Sequence, residues 1–259
     1  MISKYEEKDK FEFNIMDKIF NNSTKLKELV LKTKKGDLSS DNDKSLFKDV
    51  VRELKLIRGC NIQKYGVKEP YDNVDFSEKT KKAELENRNN KIIAFQHITG
   101  TTDKWRLHSC LFKNMSNIIF LDTTIKILLR PEINEYCLLG ILNSKLLDWF
   151  FRKTSTNNHV NGYEVESLPI TKNNNNNKEL EEITKKIINL IAENTNNTEE
   201  NQKNINLYQQ EIDKIVYKLY DLTYDEVLTI DKDFTLTQEE YDKYVMAHFI
   251  HGNDTLPLN

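Results

Sequence analysis

Cysteine, proline and glycine are all scarce, with three, four and seven in 259 residues. Cys60, Cys110 and Cys137 stand far apart and form no Cys-x-x-Cys pair. They cannot supply a four-ligand zinc site without histidines, so free thiols in a reducing compartment are expected. The four prolines stand alone and the glycines do not cluster. That excludes a Gly-rich methyl-donor loop and an Asn/Asp-Pro-Pro-aromatic active-site segment. No apolar run follows Met1, and no stretch of about 18 apolar residues occurs anywhere. Neither a signal peptide nor a membrane span is expected, and a cytoplasmic location follows.

What remains is a polar chain with enough apolar residues, 38%, to build a core. The formal charge of −3 is unevenly spread. Residues 1–50 carry a net +1 and residues 51–172 a net +5, while residues 173–259 carry −9. A basic middle beside an acidic end suits one part that faces a polyanion and another that need not. The composition divides the same way: an N-terminal helical or linker segment over 1–50, a mixed domain over 51–172, and a helical region over 173–259.

Periodicity supplies the elements. Ser23–Lys32 reads as a short helix capped by Ser23 or Thr24, and Gly36–Lys44 as a loop. Lys91–Thr99, Asn117–Asp122 and Thr124–Arg130 are rich in β-branched and aromatic residues and read as strands. In Glu135–Arg152 the apolar residues Leu138, Leu139, Leu142, Leu146 and Phe150 recur at helical spacing, predicting one buried helix in which Gly140 marks close packing. The Asn173–Asn177 run reads as a linker. Beyond it, Leu180, Ile183, Ile187 and Leu190, then Ile205, Tyr208, Ile212, Ile215, Leu219 and Leu222, predict an antiparallel helical hairpin. That hairpin serves either as a prop on its own domain or as an arm for a partner. Thr223 with Glu226, and Thr237 with Glu240, match capping boxes that start two short helices. The fold class expected is α+β: a mixed sheet with packed helices, then the hairpin and short C-terminal helices.

Three segments gather groups suited to a nucleic acid. In Leu56–Tyr65, Arg58 can donate a bidentate pair to guanine or phosphate, Asn61 and Gln63 can pair with adenine, and Lys64 can meet phosphate. Gly59 permits a tight backbone path. Gln96 and His97 end a strand, and Thr99, Thr101 and Thr102 follow with Lys104 and Arg106; short hydroxyls and a guanidinium suit phosphate. Arg152, Lys153, Thr156, Asn157, Asn158 and His159 collect donors and acceptors on a third, flexible stretch, although Asn-rich loops also simply make good turns. Arg106 and Lys153 are expected to contact any DNA bound.

The segments LIRGCNIQKY (56–65), KIIAFQHITGTTDKWR (91–106), IIFLDTTIKILL (118–129), CLLGILNSKLLDWFFRKTSTNNHVNGYEVESLPI (137–170) and IDKIVYKLYDLTYDEV (212–227) follow one another in an order that resembles the TaqI-like C-terminal specificity domain. That domain belongs to adenine-specific DNA methyltransferases and fused methyltransferase–nucleases of type II restriction systems. The resemblance implies a target-recognition module that grips double-stranded DNA and works with a methyltransferase or nuclease domain in cis or in trans, the methyltransferase flipping the target adenine. It implies that S-adenosylmethionine and Mg belong to that catalytic part, with no cofactor or metal in this chain. Reading residues differ between members, so the residues above are chosen on chemistry.

Two other readings stay open. Glu53-Leu54-Lys55, with Asp49 upstream, has the form of a metal-dependent nuclease triplet, which would make the chain a small endonuclease. His248 and His251, with Asp254 nearby, share a spacing that suits a metal but lacks further ligands. Alternatively the hairpin makes the chain a protein-interaction module.

Overall fold

The computed structural model describes residues 4–48, 53–173, 177–193 and 199–244. The fold is α+β. In chain order the elements begin with helix α1 (Lys4–Asn21) and strands β1 (Ser23–Lys25), β2 (Val30–Lys35), β3 (Phe47–Lys48), β4 (Leu54–Ile57), β5 (Ile62–Gln63), β6 (Gly66–Val67) and β7 (Asp72–Val74). Helix α2 (Glu78–Arg88) and strands β8 (Ile92–Gln96), β9 (Ser109–Phe112), β10 (Ile118–Phe120) and β11 (Thr124–Leu129) follow. Then come α3 (Glu135–Leu142), α4 (Lys145–Thr154), α5 (Gly162–Glu166) and β12 (Pro169–Thr171). The chain continues through α6 (Lys178–Glu193), α7 (Glu199–Leu219), α8 (Tyr224–Ile230) and α9 (Gln238–Lys243).

Two four-stranded sheets form the centre. The first is antiparallel, in the order β2-β11-β8-β9. The second, β10-β4-β7-β3, contains one parallel pair, β10 with β4. The run TIKILL makes β11 a strand buried along its whole length, which alternation explains. Ile125, Ile127 and Leu129 point into a core shared with the helices, and Leu128 points the other way, toward Phe120 and Ile57 of the second sheet. Behind the second sheet, Leu54, Leu56, Ile119 and Leu121 pack beneath α2 through Ala83. The order of layers is therefore helices, sheet, sheet, helix. Each fully buried Ile, Leu or Phe contributes about 1.5–3 kcal/mol of apolar transfer. The largest core joins Ile15 and Ile19 of α1, the first sheet, and Ile212, Val216 and Tyr241 of the last helices.

Two expectations need correction. Ser23–Lys32 is not a helix. Ser23–Lys25 pairs with Thr171–Pro169, a short 3-10 turn covers Leu26–Glu28, and Val30–Lys35 is a strand on β11. Tertiary pairing overrides a weak local helical preference there. The helix lies upstream instead, in α1, closed where the Ser23 hydroxyl donates to the Ile19 carbonyl at 2.6 Å. Glu135–Arg152 is two helices rather than one. Ser144 caps α4 by accepting from the Leu147 amide, and Asn143 ties the break to β9 through the amide, hydroxyl and carbonyl of Ser109. An Asn-Ser pair inside an apolar helical pattern is a stop and a restart.

Several other elements follow the pattern read from the chain, while residues 174–176 of the expected Asn173–Asn177 linker lie outside the described residues. The strands at Ile92–Gln96, Ile118–Phe120 and Thr124–Leu129 fall inside the expected segments. α6 and α7 pack as a hairpin, and both capping boxes form. A Cβ on Gly140 would stand 2.7 Å from the Thr184 hydroxyl and 2.9 Å from Leu180, so α3 and α6 approach as closely as that glycine suggested. No described helix is long and apolar enough to cross a membrane.

Candidate functional site

Two of the three polar segments converge. The loop after β8 and the loop after α4 lie side by side, joined by a bridge between Ile98 and His159. The Thr99 amide donates to the Asn158 carbonyl at 3.1 Å, and the Val160 amide to the His97 carbonyl at 2.7 Å. His97 Nδ1–H donates to the Val160 carbonyl at 2.9 Å, and its ring lies 5.0 Å from that of His159. A carbonyl can only accept, so this contact fixes the tautomer of His97. Burial lowers the His97 pKa despite that hydrogen bond, helped by the charges of Lys35 and His159.

Two arginines and one aspartate hold the pair of loops in place. Arg106, expected on the surface, is 1% exposed. Its Nε donates to the Thr99 hydroxyl at 3.0 Å, its Nη2 to the Asn157 carbonyl at 2.7 Å, and its guanidinium lies over Phe151. It is therefore a strut between loops, and this corrects its expected role as a free phosphate ligand. A buried guanidinium must find its partners internally, and two oxygen acceptors and an aromatic face within reach supply them. Asp148, on α4, accepts from the amides of Arg106 and Leu107 and from Arg152 Nε. Arg152 then reaches back to the carbonyls of Thr101 and Asp103 at 3.2 and 2.7 Å. A helix of ten residues thus grips a loop that has no secondary structure of its own.

What this framework leaves outward is a ridge. Thr101, Thr102 and Lys104 on one loop, and Thr156, Asn157, Asn158 and His159 on the other, are all exposed. His97 and Thr99 are buried beneath them. Gln96 is half-buried and donates to the Ile98 carbonyl. Lys153 is exposed but ion-paired with Glu12 of α1.

The third segment divides. Asn61 is buried: its Oδ1 accepts from the Arg58 amide, and its amide group donates to the carbonyls of Lys68 and Pro70. It holds a turn and has no edge left for a base, a second correction. Arg58 pairs with Asp72 and lies over Phe47. Gly59 is needed for close approach, since a Cβ there would stand 2.3 Å from the Thr123 carbonyl oxygen. Gln63 is exposed, and the Lys64-Tyr65 turn brings that end of the segment toward Lys104. The Lys64 ammonium sits 3.5 Å from the Trp105 ring centroid, enclosed and without a hydrogen bond, while Asp213 Oδ2 of α7 is also enclosed and unpartnered. Burial pushes the Lys64 pKa down and that of Asp213 up. A cleft of about 1050 Å³ opens beside them, lined by both tryptophans, Trp105 and Trp149, and by Lys104 and Arg152.

For the nuclease triplet, Glu53 and Lys55 are exposed, with the Lys55 ammonium over Tyr71, and Asp49 lies outside the described residues. His248, His251 and Asp254 also lie outside them. Among the described residues no group of three or more His, Cys, Asp or Glu is placed to hold a metal.

Sequence reasoning missed β2. Lys32, Lys34 and Lys35 sit on an edge strand next to the converged loops, and the helical reading of Ser23–Lys32 hid the alternation that sorts them.

Fold and site together define a mixed α+β module that carries two clamped polar loops at one end of a sheet. Residues 54–170, which contain both loops and their clamps, match the family model of the TaqI-like C-terminal specificity domain. That is the family the ordered sequence segments resemble. Among solved structures, the chain is similar to one reported as "Characterization and crystal structure of the type IIG restriction endonuclease BpuSI", at 10% identity and a TM-score of 0.44. The likeness covers 81% of this chain and 33% of that one, so the chain spans about a third of that protein. No curated protein matches the sequence.

Proposed function

We propose that this chain is the target-recognition module of a type II restriction–modification enzyme, reading duplex DNA for a methyltransferase or nuclease part in cis or in trans. The observation that carries the reading is the ridge of exposed Thr101, Thr102, Lys104, Asn157, Asn158 and His159, held rigid from below by Arg106, Asp148 and Arg152, within the segment that matches a specificity domain. Reading bases needs donors and acceptors held in fixed register, since a bidentate pair discriminates only when both bonds form together. Carboxamides and hydroxyls supply those groups, and Lys104 supplies a phosphate contact. Methyl transfer and cleavage, with S-adenosylmethionine and Mg, fall to the catalytic part in this proposal.

Selection from a pool of random duplexes by the full chain is expected to return a short consensus. Binding to that consensus should weaken steeply as salt rises, because phosphate contacts release counterions. A pool that emerges without enrichment overturns the reading.

A further inference from the structure

The three lysines of β2 do not share a fate, and the pleat decides it. Lys34 pairs across the ladder with Lys126, and Lys32 with Leu128, so both point toward the second sheet and α2. There they meet acids: Lys34 lies 3.1 Å from Asp37 and 3.2 Å from Glu86, and Lys32 lies 3.1 Å from Glu86. Lys35 pairs with Ile125 and Thr33 with Ile127, so these two point to the opposite face, toward α5. Lys35 is exposed and has no acidic partner within ion-pair distance among the described residues.

On that face a pocket of about 300 Å³ opens between the edge of the sheet and α5. Thr33, Lys35, His97 and Tyr163 line it. The Thr33 hydroxyl is enclosed and makes no hydrogen bond, which a buried polar atom rarely does without a reason. Tyr163 is 68% exposed, a large ring left in water at the mouth. His97 connects the pocket to the ridge through its contact with His159. A free ammonium and a phenol lie around one concavity beside an unmet hydroxyl, a donor set that suits a tetrahedral oxyanion once the Thr33 side chain turns toward it.

We propose that Lys35, Thr33 and Tyr163 form a phosphate-binding subsite at the open edge of the first sheet, which takes a backbone phosphate of the duplex read by the adjoining ridge. The source of the phosphate rests on the function proposed above. Lys35 lies outside the matched segment, so the subsite extends the binding face beyond residues 54–170. A phosphate seated there also places a negative charge beside His97, which counteracts the repulsion from Lys35 and His159. Glu166, the carboxylate on the lining, opposes the anion.

The test uses the full chain and a 30-base-pair duplex of random sequence, with affinity measured across a series of salt concentrations. Lys35→Ala is expected to flatten the slope of log affinity against log salt by about one, the loss of a single phosphate contact. Lys32→Ala, which removes a lysine already committed to Glu86, should keep the wild-type slope, and Glu166→Gln should tighten binding. A wild-type slope in Lys35→Ala overturns the subsite. If the wild-type chain fails to bind any duplex, the recognition reading falls by itself, and inorganic phosphate becomes the probe. A phosphate-dependent shift of the His97 imidazole resonances in the wild type, absent in Lys35→Ala, then still supports the subsite; no shift overturns it.

Discussion

The Lys126 ammonium lies 2.7 Å from Asp37 Oδ1, and neither side chain exposes any surface. Lys126 leaves the central strand β11 on the side away from the helices, so it stands between the two sheets. Asp37 also accepts from Lys34, from the Asn87 carboxamide and from the Phe120 amide, so its oxygens are satisfied four times over. The pair thereby ties β2, β10, β11 and α2 together. Its desolvation offsets much of its Coulomb attraction, so it is a poor source of net stability. Breaking it is another matter. Lys126→Met leaves Asp37 buried and short of its nearest cation, at a cost of about 3–5 kcal/mol. Urea denaturation of the variant measures this, and a loss below about 1 kcal/mol would show that water reaches Asp37.

Glu86 caps the same network from its half-buried rim. Burial alone would raise its pKa, but the hydrogen bond from Lys32 and the charges of Lys126 and Lys34 outweigh burial and bring it to about 2. A carboxyl held lower in the folded state than in the unfolded chain adds stability at pH values above its unfolded pKa, and that stability drains as pH falls toward the folded value. The wild-type chain should therefore lose stability between about pH 4.5 and pH 2, and Glu86→Gln should flatten that part of the profile. Thermal melts at closely spaced pH values check it; parallel profiles for the two chains would refute it.

The corrected place of Arg106 changes what its removal should do. As an exposed phosphate ligand, its loss would weaken binding to all DNA and flatten the salt slope. As a strut, Arg106→Ala frees the Asn157 carbonyl and the Thr99 hydroxyl and opens space over Phe151. About 3 kcal/mol of stability should go with it. Discrimination between the selected consensus and random duplex should collapse, while the salt slope stays unchanged. Lys104→Ala should behave oppositely, flattening the slope by about one and sparing stability. The two variants exchanging these signatures would restore the surface reading of Arg106.

That contrast shows where a sequence carries information and where it does not. Strand periodicity located β8, β10 and β11, because alternation and β-branching are local properties of a buried pleat. Gly140 announced its helix contact, because only a missing side chain permits such an approach. Residue type alone could not tell Arg106 from Lys104, two residues apart with the same charge. The difference arises from Asp148 and Asn157, some 40 to 50 positions later in the chain, which close around one and leave the other in water. Asn61 misled in the same way, since a carboxamide that suits adenine suits a backbone turn equally well. The lysines of β2 were lost for a different reason: their sorting depends on the partner strand β11, and no local signal in Ser23–Lys35 names that partner.

Lys64 and Asp213 give a final handle on how the helical tail is attached. Each holds an enclosed polar atom without a hydrogen bond, one on the turn between β5 and β6 and the other on α7. The attraction between them opposes the desolvation that drives each toward its neutral form. Lys64→Met therefore strands the carboxylate and Asp213→Asn strands the ammonium, and either change alone should cost roughly 1–3 kcal/mol at pH 7. In the double variant neither charge of this pair remains, so its loss should fall short of the summed single losses by at least about 1 kcal/mol. A double-mutant cycle from urea melts supplies the number. Strict additivity would mean that the two groups do not sense each other, and the tail would then rest on its apolar contacts and its other polar contacts, among them the hydrogen bonds from Tyr65 to Gln209 and from Tyr220 to the Pro169 carbonyl and the Lys145–Asp231 ion pair.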